Sequence, residues 1–260
     1  MQLNKYKVIG IGINDTNISD FVKNLLDNHE KFNNVCVSAT GAHGIICATK
    51  DKDIYNILNL FDYNLPDGQP AVWVAKLKGA KNIKRCFGPF VFKEVMLATA
   101  NNNINHYFCG GKEGVAEHLI ESCANLFNNN NIVGTYCPPF RELNETEILD
   151  MAKNINSKGT DILWIGISTP KQEKLAKRLS KYTRVKIIIT VGAAFDYYTG
   201  TIKIAPKWIQ KFGLEWFYRL CLEPKRLYKR YLEIVPKFLI YAILDLMSFY
   251  KHPFERQEIQ

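Results

Sequence analysis

The first residue that could do chemistry is a carboxylate in a short loop. In "LPDGQPAVW", Leu65 to Trp73, Asp67 stands in a Pro-Asp-Gly turn directly before an apolar helical stretch. A carboxylate within reach of a substrate hydroxyl can act as a general base. Asp-Gly is also an ordinary turn dipeptide, and the local sequence alone favours a purely structural turn.

Hydroxyl and imidazole groups follow an apolar run in "SATGAHG". If the preceding "NVCV" is a strand, then Ser38, Thr40 and His43 lie at its carboxyl end, where α/β sheets bind ligands. Ser and Thr are also preferred helix N-caps, and the local sequence alone favours capping by Ser38 or Thr40. His43 is equally well explained as a structural histidine with satisfied hydrogen bonds.

Two more loops, "GISTPKQE" and "VGAAFDYYTG", follow apolar runs and carry polar groups. Loops on one side of a sheet commonly form a ligand site. The groups that these loops offer to a ligand are Gln172, Glu173, Gly192 and Asp196. Glu173 has an alternative role as an acidic residue in a first helical turn, where the helix dipole favours it.

A glycine pattern, "CGGKEG", lies between a predicted strand and a predicted helix. Backbone amides at a helix N-terminus bind phosphate, and Gly110, Gly111 and Gly114 would allow close approach. The match to a dinucleotide fingerprint is imperfect because no clear acidic residue follows about 20 positions on. A tight structural turn and a phosphate site therefore remain equal alternatives.

The elements that must position these groups alternate along the chain. Short Val- and Ile-rich runs predict strands, and amphipathic stretches between them predict helices. The predicted strands are "YKVIGIGI", "NVCVSA", "KRCFG", "NHYFCG", "NIVGTYC", "DILWIGI" and "VKIIITVG". Such alternation is typical of a Rossmann-like, doubly wound, mostly parallel α/β sheet, whose ligands bind beyond the carboxyl ends of the strands.

Composition favours a folded protein with anionic partners. The chain has 260 residues and a formal charge of +9, which points to phosphate-bearing ligands, nucleic acid or an anionic membrane surface. Its seven cysteines form no CxxC pair, so a reduced protein is expected. The opening "MQLNKYKVIGIGIND" lacks the features of a secretory signal, which predicts that the chain stays in the cytoplasm.

The sequence changes character near Gly200. Alternation stops there, which predicts a catalytic domain over residues 1–200 and a helical, basic and aromatic appendage over 201–260. Trp208, Phe212 and Trp216 recur every four residues and predict one helix face, although Pro224 is expected to begin a new helix. The apolar "FLIYAILDLMSF" is too short to span a bilayer, so it predicts an interfacial surface.

Several of these motifs together resemble the WecG/TagA/CpsF family of bacterial glycosyltransferases. The resemblance runs from about Val8 to Tyr231. It rests on "LPDGQPAVWVAKLKG" followed by Arg85, on "GISTPKQE" and "VGAAFD", and on the ordered "APKWIQKFGLEWFYRLCLEPKRLYKRY".

The resemblance implies an inverting sugar transfer from a UDP-sugar to an undecaprenyl-diphosphate-linked sugar, without an obligatory metal or other cofactor. The sugar would be N-acetylmannosamine-like or another hexose, and the product a teichoic acid, capsule or exopolysaccharide. An enzyme acting on a lipid-linked acceptor is expected to be a peripheral protein of the cytoplasmic membrane face. A homo-oligomer is left open.

By motif position, the resemblance assigns roles to individual residues. Asp67 corresponds to the family's proposed base, and Ser38 stands where members usually carry threonine. Thr40 replaces a common asparagine, Arg85 matches an arginine near the donor diphosphate, and Gln172 matches the glutamine of the Gly-x-Pro-x-Gln-Glu motif. The sequence departs from the family at "SATGAHG" and "FGPF", which leaves the donor sugar unassigned.

The complete predicted site has three parts. The catalytic residues are Asp67 and Ser38, and the donor-binding residues are Thr40, Arg85, Gly110, Gly111, Gln172, Gly192 and Asp196. Arg219, Arg226 and Arg230 are predicted to contact the acceptor's diphosphate or lipid headgroups. The alternative for these arginines is a solvated basic face on a capping helix.

Two other function classes compete with the glycosyltransferase prediction. A dinucleotide-dependent oxidoreductase needs Gly-x-Gly-x-x-Gly after the first strand, and that pattern is absent. A nucleic-acid-binding protein would use the basic C-terminal segment, and its binding would weaken with salt without any sugar transfer. The glycosyltransferase prediction is preferred, with no nucleic acid as partner.

Overall fold

The computed structural model describes residues 4–255 and contains two sheets. Strands β1 (Lys5–Val8) and β2 (Ile11–Asn14) form an antiparallel hairpin. The main sheet contains β3 (Val35–Thr40), β4 (Tyr63–Pro66), β5 (His106–Gly110), β6 (Ile132–Tyr136), β7 (Ile162–Gly166) and β8 (Ile187–Thr190). These six pair in parallel in the order β4-β3-β8-β7-β5-β6, which confirms the Rossmann-like prediction.

Helices connect and cover the strands. The N-terminal half has α1 (Ile18–Asn28), a 3-10 turn (His29–Lys31), α2 (Ala42–Ala48), α3 (Lys52–Leu60), α4 (Gln69–Leu77), α5 (Gly88–Thr99) and α6 (Val115–Phe127). The rest has α7 (Glu145–Ser157), α8 (Lys171–Leu179), α9 (Ala194–Tyr198), α10 (Lys207–Lys211), α11 (Glu215–Leu222) and α12 (Pro224–Leu246).

The central strands are apolar throughout because both faces of the sheet are covered. Along β7, Ile162 and Trp164 pack among residues of α1, α5, α6 and α9. Leu163 and Ile165, on the opposite face, pack among residues of α7 and α8. Successive side chains of a strand point to opposite faces, so a continuous apolar run is what a doubly covered parallel sheet requires.

The first predicted strand, "YKVIGIGI", is wrong as a single strand of the main sheet. Ile9 and Gly10 both have positive φ and form the turn between β1 and β2. A Cβ on Gly10 would lie 2.6 Å from Cδ2 of His252. The glycine therefore serves both the turn and the packing of the C-terminal segment against it.

Near Asp67 the sequence prediction also missed one strand and added another. "KRCFG" is not a strand, because Phe87 is the N-cap of α5 and Pro89 lies in the first turn of that helix. Edge strand β4 was not predicted, since "YNLP" is short and contains Asn64 and Pro66. Proline is tolerated at the end of an edge strand, and β4 carries the chain directly to Asp67.

The C-terminal aromatic residues do not share one helix, contrary to prediction. Gly213, with φ of +68°, separates α10 from α11, so Trp208 and Trp216 belong to different helices. The prediction that a new helix begins at Pro224 is confirmed. Asp51 is the N-cap of α3, and its carboxylate accepts the N–H groups of Asp53 and Ile54.

Helix α12 packs against the N-terminal part of the chain. Its side chains Ile234, Phe238 and Ala242 belong to one core cluster with residues of β1, β2, α2, α3 and α4. Asp245 accepts the N–H of Ile9 at 2.7 Å and pairs with Lys78 at 2.7 Å. The domain division at residue 200 stays a prediction. Within residues 4–255, no helix has the length and apolar character needed to cross a membrane.

Candidate active site

A cavity of about 320 Å³ lies at the carboxyl edge of the main sheet. The loops after β3, β4, β7 and β8 form its base and sides, and α11 and α12 close it from the other side. Residues predicted for the site that line the cavity are Asp67, Arg85, Gln172, Gly192, Asp196, Arg219, Arg226 and Arg230. Segments far apart in the sequence therefore meet at the edge where α/β sheets bind ligands.

Asp67 is held at the cavity by its backbone and its side chain. Its N–H donates to the Thr40 carbonyl at 3.2 Å, and its Oδ1 accepts the N–H of Gly88 at 3.0 Å. Removal from water raises the pKa of Asp67 to about 6, although Arg85 and the Gly88 N–H act in the opposite direction. Asp67 is thus ionised at neutral pH yet more basic than an ordinary aspartate, as a general base should be.

Arg85 connects the Asp67 loop to helix α11. Its Nε donates to the Asp67 carbonyl at 2.8 Å, and its guanidinium pairs with the buried carboxylate of Glu215. The same guanidinium lies 4.4 Å from the centre of the Phe87 ring. The pair fixes the position of α11 relative to β4, so Glu215 has a positioning role that the sequence prediction did not assign.

Gln172 joins the loops after β7 and β8. Its Oε1 accepts the N–H of Gly192 at 3.0 Å, and its Nε2 donates to Glu173 at 2.9 Å. Gly192 has φ of +58°, and a Cβ there would meet no atom within 4 Å. Position 192 therefore needs glycine because of its backbone conformation, and not because a side chain would lack space. Burial raises the pKa of Asp196, which is opposed chiefly by Arg226 and Arg219.

Ser38 and Thr40 lie beneath the cavity and do not line it. Both are buried, and Thr40 Oγ1 donates to Ser38 Oγ at 3.0 Å while also lying 3.2 Å from Asn64 Oδ1. The alternative that either residue caps α2 is wrong, because the N-cap is Gly41 and no side chain bonds there. The catalytic role of Ser38 and the donor-binding role of Thr40 stay predictions.

Glu173 completes this buried polar layer. Its Oε1 accepts hydrogen bonds from Ser38 at 3.3 Å, Thr169 at 3.0 Å and Gln172 at 2.9 Å. Its Oε2 is buried without a partner among the described residues. Burial raises the pKa of Glu173. Glu173 does lie in the first turn of α8, as the simpler interpretation held, but its carboxylate is turned inward.

The three C-terminal arginines line the same cavity as Asp67. Arg226 forms a bidentate pair with Glu223, at 2.6 and 2.7 Å, whereas the nearest carboxylate oxygen to Arg219 is 3.9 Å away on the same Glu223. Nε of Arg219 is buried without a hydrogen-bond partner among residues 4–255. Burial lowers the pKa of Arg230. Arg219 and Arg230 are therefore partly withdrawn from solvent, and contact of the three arginines with an acceptor diphosphate or lipid headgroups stays a prediction.

Gly110 and Gly111 stand apart from the cavity lining. Both have positive φ, and a Cβ on Gly110 would lie 2.5 Å from the carbonyl oxygen of Gly166. A Cβ on Gly111 would lie 2.7 Å from Val115. These glycines are needed for the close packing of the β5 loop, which accounts for them without a phosphate. Their donor-binding role stays a prediction.

His43 was predicted to lie at the binding edge, and it does line the cavity. The alternative of a satisfied structural histidine is wrong, since neither ring nitrogen bonds to a described residue. Trp216 and Tyr231 also line the cavity. The four-residue spacing of aromatic residues singled out Trp216 as part of a helix face, not as a cavity residue. No signal in the sequence singled out Tyr231. Across residues 4–255, no group of three His, Cys, Asp or Glu side chains is placed to hold a metal, and metal independence stays a prediction.

Comparison with known proteins agrees with this geometry. A model of the "Glycosyl transferase WecG/TagA/CpsF family" matches residues 6–252. The chain is 29% identical over 246 residues to the N-acetylglucosaminyldiphosphoundecaprenol N-acetyl-beta-D-mannosaminyltransferase of Bacillus subtilis (strain 168), a match that covers 92% of each chain. Neither the oxidoreductase nor the nucleic-acid-binding alternative agrees with these matches. The chain belongs to the WecG/TagA/CpsF family and is a glycosyltransferase.

Proposed function

We propose that this enzyme transfers N-acetylmannosamine, or a closely related hexosamine, from a UDP-sugar to an undecaprenyl-diphosphate-linked sugar. The product would enter a cell-surface polymer such as a teichoic acid, capsule or exopolysaccharide. The name of the Bacillus subtilis relative supports these substrates, since it specifies a lipid-diphosphate acceptor and the transfer of a β-linked mannosaminyl group.

The observation that carries the proposal is a pair of partly buried arginines that face the Asp67 carboxylate in the cavity. Among the described residues, Arg219 and Arg230 have no close ion pair, and Nε of Arg219 has no hydrogen-bond partner. An unpaired cation that is partly removed from water is costly, and a diphosphate offers the anionic oxygens that guanidinium groups bind best. A diphosphate substrate therefore supplies the partner that the protein does not.

In the proposed reaction, Asp67 accepts the proton of the acceptor hydroxyl as its oxygen attacks the anomeric carbon of the donor. The new C–O bond forms on the face opposite to the departing diphosphate, so the anomeric centre inverts. The bond from the anomeric carbon to the phosphate oxygen breaks, and UDP leaves with the electron pair. Arginines of the cavity stabilise its developing charge. We assign Arg85, Gln172, Gly192 and Asp196 to the donor side.

We also propose that the enzyme works at the cytoplasmic face of the membrane, on its anionic surface. Leu239 lines the cavity and is 55% exposed, so apolar surface adjoins the cavity mouth. Other exposed apolar side chains of α4 and α10–α12 include Trp73, Leu77, Trp208, Phe212, Phe217, Ile240 and Ile243. A lipid-linked acceptor can keep its tail in the bilayer only if the cavity opens at such a surface.

The transfer reaction is tested directly with a panel of UDP-sugars and a synthetic lipid-diphosphate-N-acetylglucosamine acceptor. Mass spectrometry of the lipid should show one added N-acetylhexosamine with the preferred donor, and far less of this product in the same time with the Asp67→Asn variant. A lipid product that never gains a sugar from any UDP-donor would refute the proposed substrates.

The membrane proposal is tested by sedimentation with anionic liposomes. Truncation at residue 200 is unsuitable, because it would remove the core residues Ile234 and Phe238. Instead, Leu239→Ser with Ile243→Ser should weaken binding roughly tenfold or more, since each side chain loses apolar burial in the bilayer. The matched control is Leu60→Ser with Leu126→Ser, two equally exposed leucines on other helices. Equal loss of binding in both pairs would contradict the proposed surface.

A further inference from the structure

His43 lines the cavity but has no role in the reaction proposed above. It lies in the first turn of α2 and lines the cavity, and neither of its ring nitrogens is hydrogen-bonded to a described residue. The buried His106 is different, because Trp164 donates to its Nδ1 at 3.0 Å and Thr99 contacts its Nε2 at 2.9 Å. His106 is thus satisfied within the fold, whereas His43 keeps both nitrogens available to a ligand.

The position of His43 is fixed between the base and the arginines. Helix α2 begins at Ala42, whose backbone N lies 3.7 Å from a Cβ position on Gly68, next to Asp67. On its other side α2 packs against α12, and the charge of Arg230 acts on the His43 ring. His43 therefore lies where an anion bound by Arg230 would be within its electrostatic reach.

We propose that His43 contacts the substrate diphosphate beside Arg230 and takes up a proton from solvent when that anion binds. This inference rests on the proposed function, because it needs a diphosphate in the cavity. It assigns to the chain a histidine that is protonated at higher pH in the substrate complex than in the free protein. The diphosphate could be that of the UDP-sugar or that of the lipid acceptor.

Electrostatics explains why the proton arrives with the ligand. In the free protein, burial and then Arg230 lower the pKa of His43 to about 4, so the ring is neutral at pH 7. An opposite charge within about 4–6 Å raises such a pKa by about 1–3 units, so the bound anion moves proton uptake by His43 into the mildly acidic range of about pH 5–7. The other ionisable groups around α2 include Cys47 on α2 itself, Lys50 and Asp51 directly after it, Glu173 on α8, Asp67 after β4, and Arg226 and Glu233 on α12.

The test is NMR titration of ¹⁵N-labelled histidine in the full-length enzyme, with and without saturating inorganic pyrophosphate. The chain has five histidines, and His43→Gln identifies the signal to follow. We expect the pKa of His43 to rise by at least about one unit with pyrophosphate, while the signals of the exposed control His118 do not respond to the ligand. Arg230→Gln should raise the pKa of His43 in the free protein, because it removes the nearby positive charge.

Separate arms with UDP and with a short-chain prenyl diphosphate distinguish the two sources of the diphosphate. A rise with UDP assigns His43 to the donor, and a rise with the prenyl compound alone assigns it to the acceptor. His43→Gln should also weaken pyrophosphate binding more at pH 6 than at pH 8, relative to wild type. Binding with an unmoved His43 pKa overturns this inference alone. If calorimetry detects no binding of any of these three compounds, the proposed diphosphate site fails as well.

Discussion

Asp67 and Glu173 are both acidic residues at the carboxyl edge of the sheet, and burial raises the pKa of both. Their surroundings differ. Asp67 lines the cavity close to Arg85, with Oδ1 held by the Gly88 N–H. Glu173 is sealed below the cavity, where three side chains donate to one of its oxygens and no Lys or Arg pairs with it among the described residues.

The comparison separates two uses of a buried carboxylate. Nearby cations let Asp67 stay ionised at neutral pH while it faces the substrate, so it can exchange a proton with that substrate. Glu173 instead fixes the amide of Gln172, whose Oε1 then receives the Gly192 N–H. We therefore assign the chemistry to Asp67 and the support of the β7 and β8 loops to Glu173.

The largest expected effect comes from removing the proton acceptor. Asp67→Asn should lower kcat by roughly 100-fold or more, the usual scale for losing general base catalysis. Donor affinity should change little, because the amide oxygen can still accept the Gly88 N–H. Steady-state kinetics and calorimetry with UDP measure the two quantities, and Asp150→Asn on the outer face of α7 is the matched control. Near-normal turnover in Asp67→Asn would show that Asp67 is not the base, and Asp67 would then differ from Glu173 only in its position.

A somewhat smaller effect is expected from the cation that faces Asp67 across the cavity. Arg219→Gln should weaken UDP or pyrophosphate binding by about 10- to 100-fold, as expected for the loss of a charged hydrogen bond worth about 1.5–3 kcal/mol. The fold should remain, because Arg219 has no short ion pair to lose. Calorimetry on this variant and on the exposed Arg184→Gln decides the matter. Equal affinities in the two variants would place the anion elsewhere.

The pH dependence of kcat/KM also tests whether Asp67, and not Glu173, is the base. With a pKa of about 6, Asp67 is the active carboxylate above pH 6 and a protonated acid below it. The value of kcat/KM should therefore level off above pH 7 and fall about tenfold for each pH unit well below 6. The residual rate of Asp67→Asn should lack this step. A wild-type profile that is flat between pH 5 and 7 would contradict the assignment of the base.

Much of the fold was predictable from local pattern. Strands β3, β5, β6, β7 and β8 were found because apolar runs are required where helices cover both faces of a sheet. Strand β4 was missed because Asn64 and Pro66 hide its strand character, although Asn64 is buried and donates to the Gly12 and Leu58 carbonyls. Its stability comes from contacts with distant segments, which local propensity does not report.

The site was predictable only in part, for a related reason. Gln172 and Asp196 were found because strand ends mark the binding edge of the sheet. Asp67 was found from its Pro-Asp-Gly turn and from the family resemblance, since β4 was not predicted. Arg219, Arg226 and Arg230 lie on two helices and reach the cavity only because α12 folds back onto α2. Such a long-range contact leaves no periodic signal in the sequence, so their place beside Asp67 required the structure.

The smallest expected effect concerns Glu173. Glu173→Gln keeps an oxygen that can accept from Ser38 and Thr169 but removes the buried charge, so kcat should stay within about threefold of wild type. Because burial raises the folded-state pKa of Glu173, its stabilising contribution is present below the unfolded pKa and is lost as pH rises through the folded value. Wild type should therefore lose stability relative to Glu173→Gln as pH rises above about 4.3, the unfolded pKa of a glutamate, by about 1 kcal/mol, the usual scale for one substitution. Urea unfolding of both proteins across that range measures the difference. A constant difference, or a loss of activity as large as that of Asp67→Asn, would show that Glu173 is ionised and takes part in the chemistry.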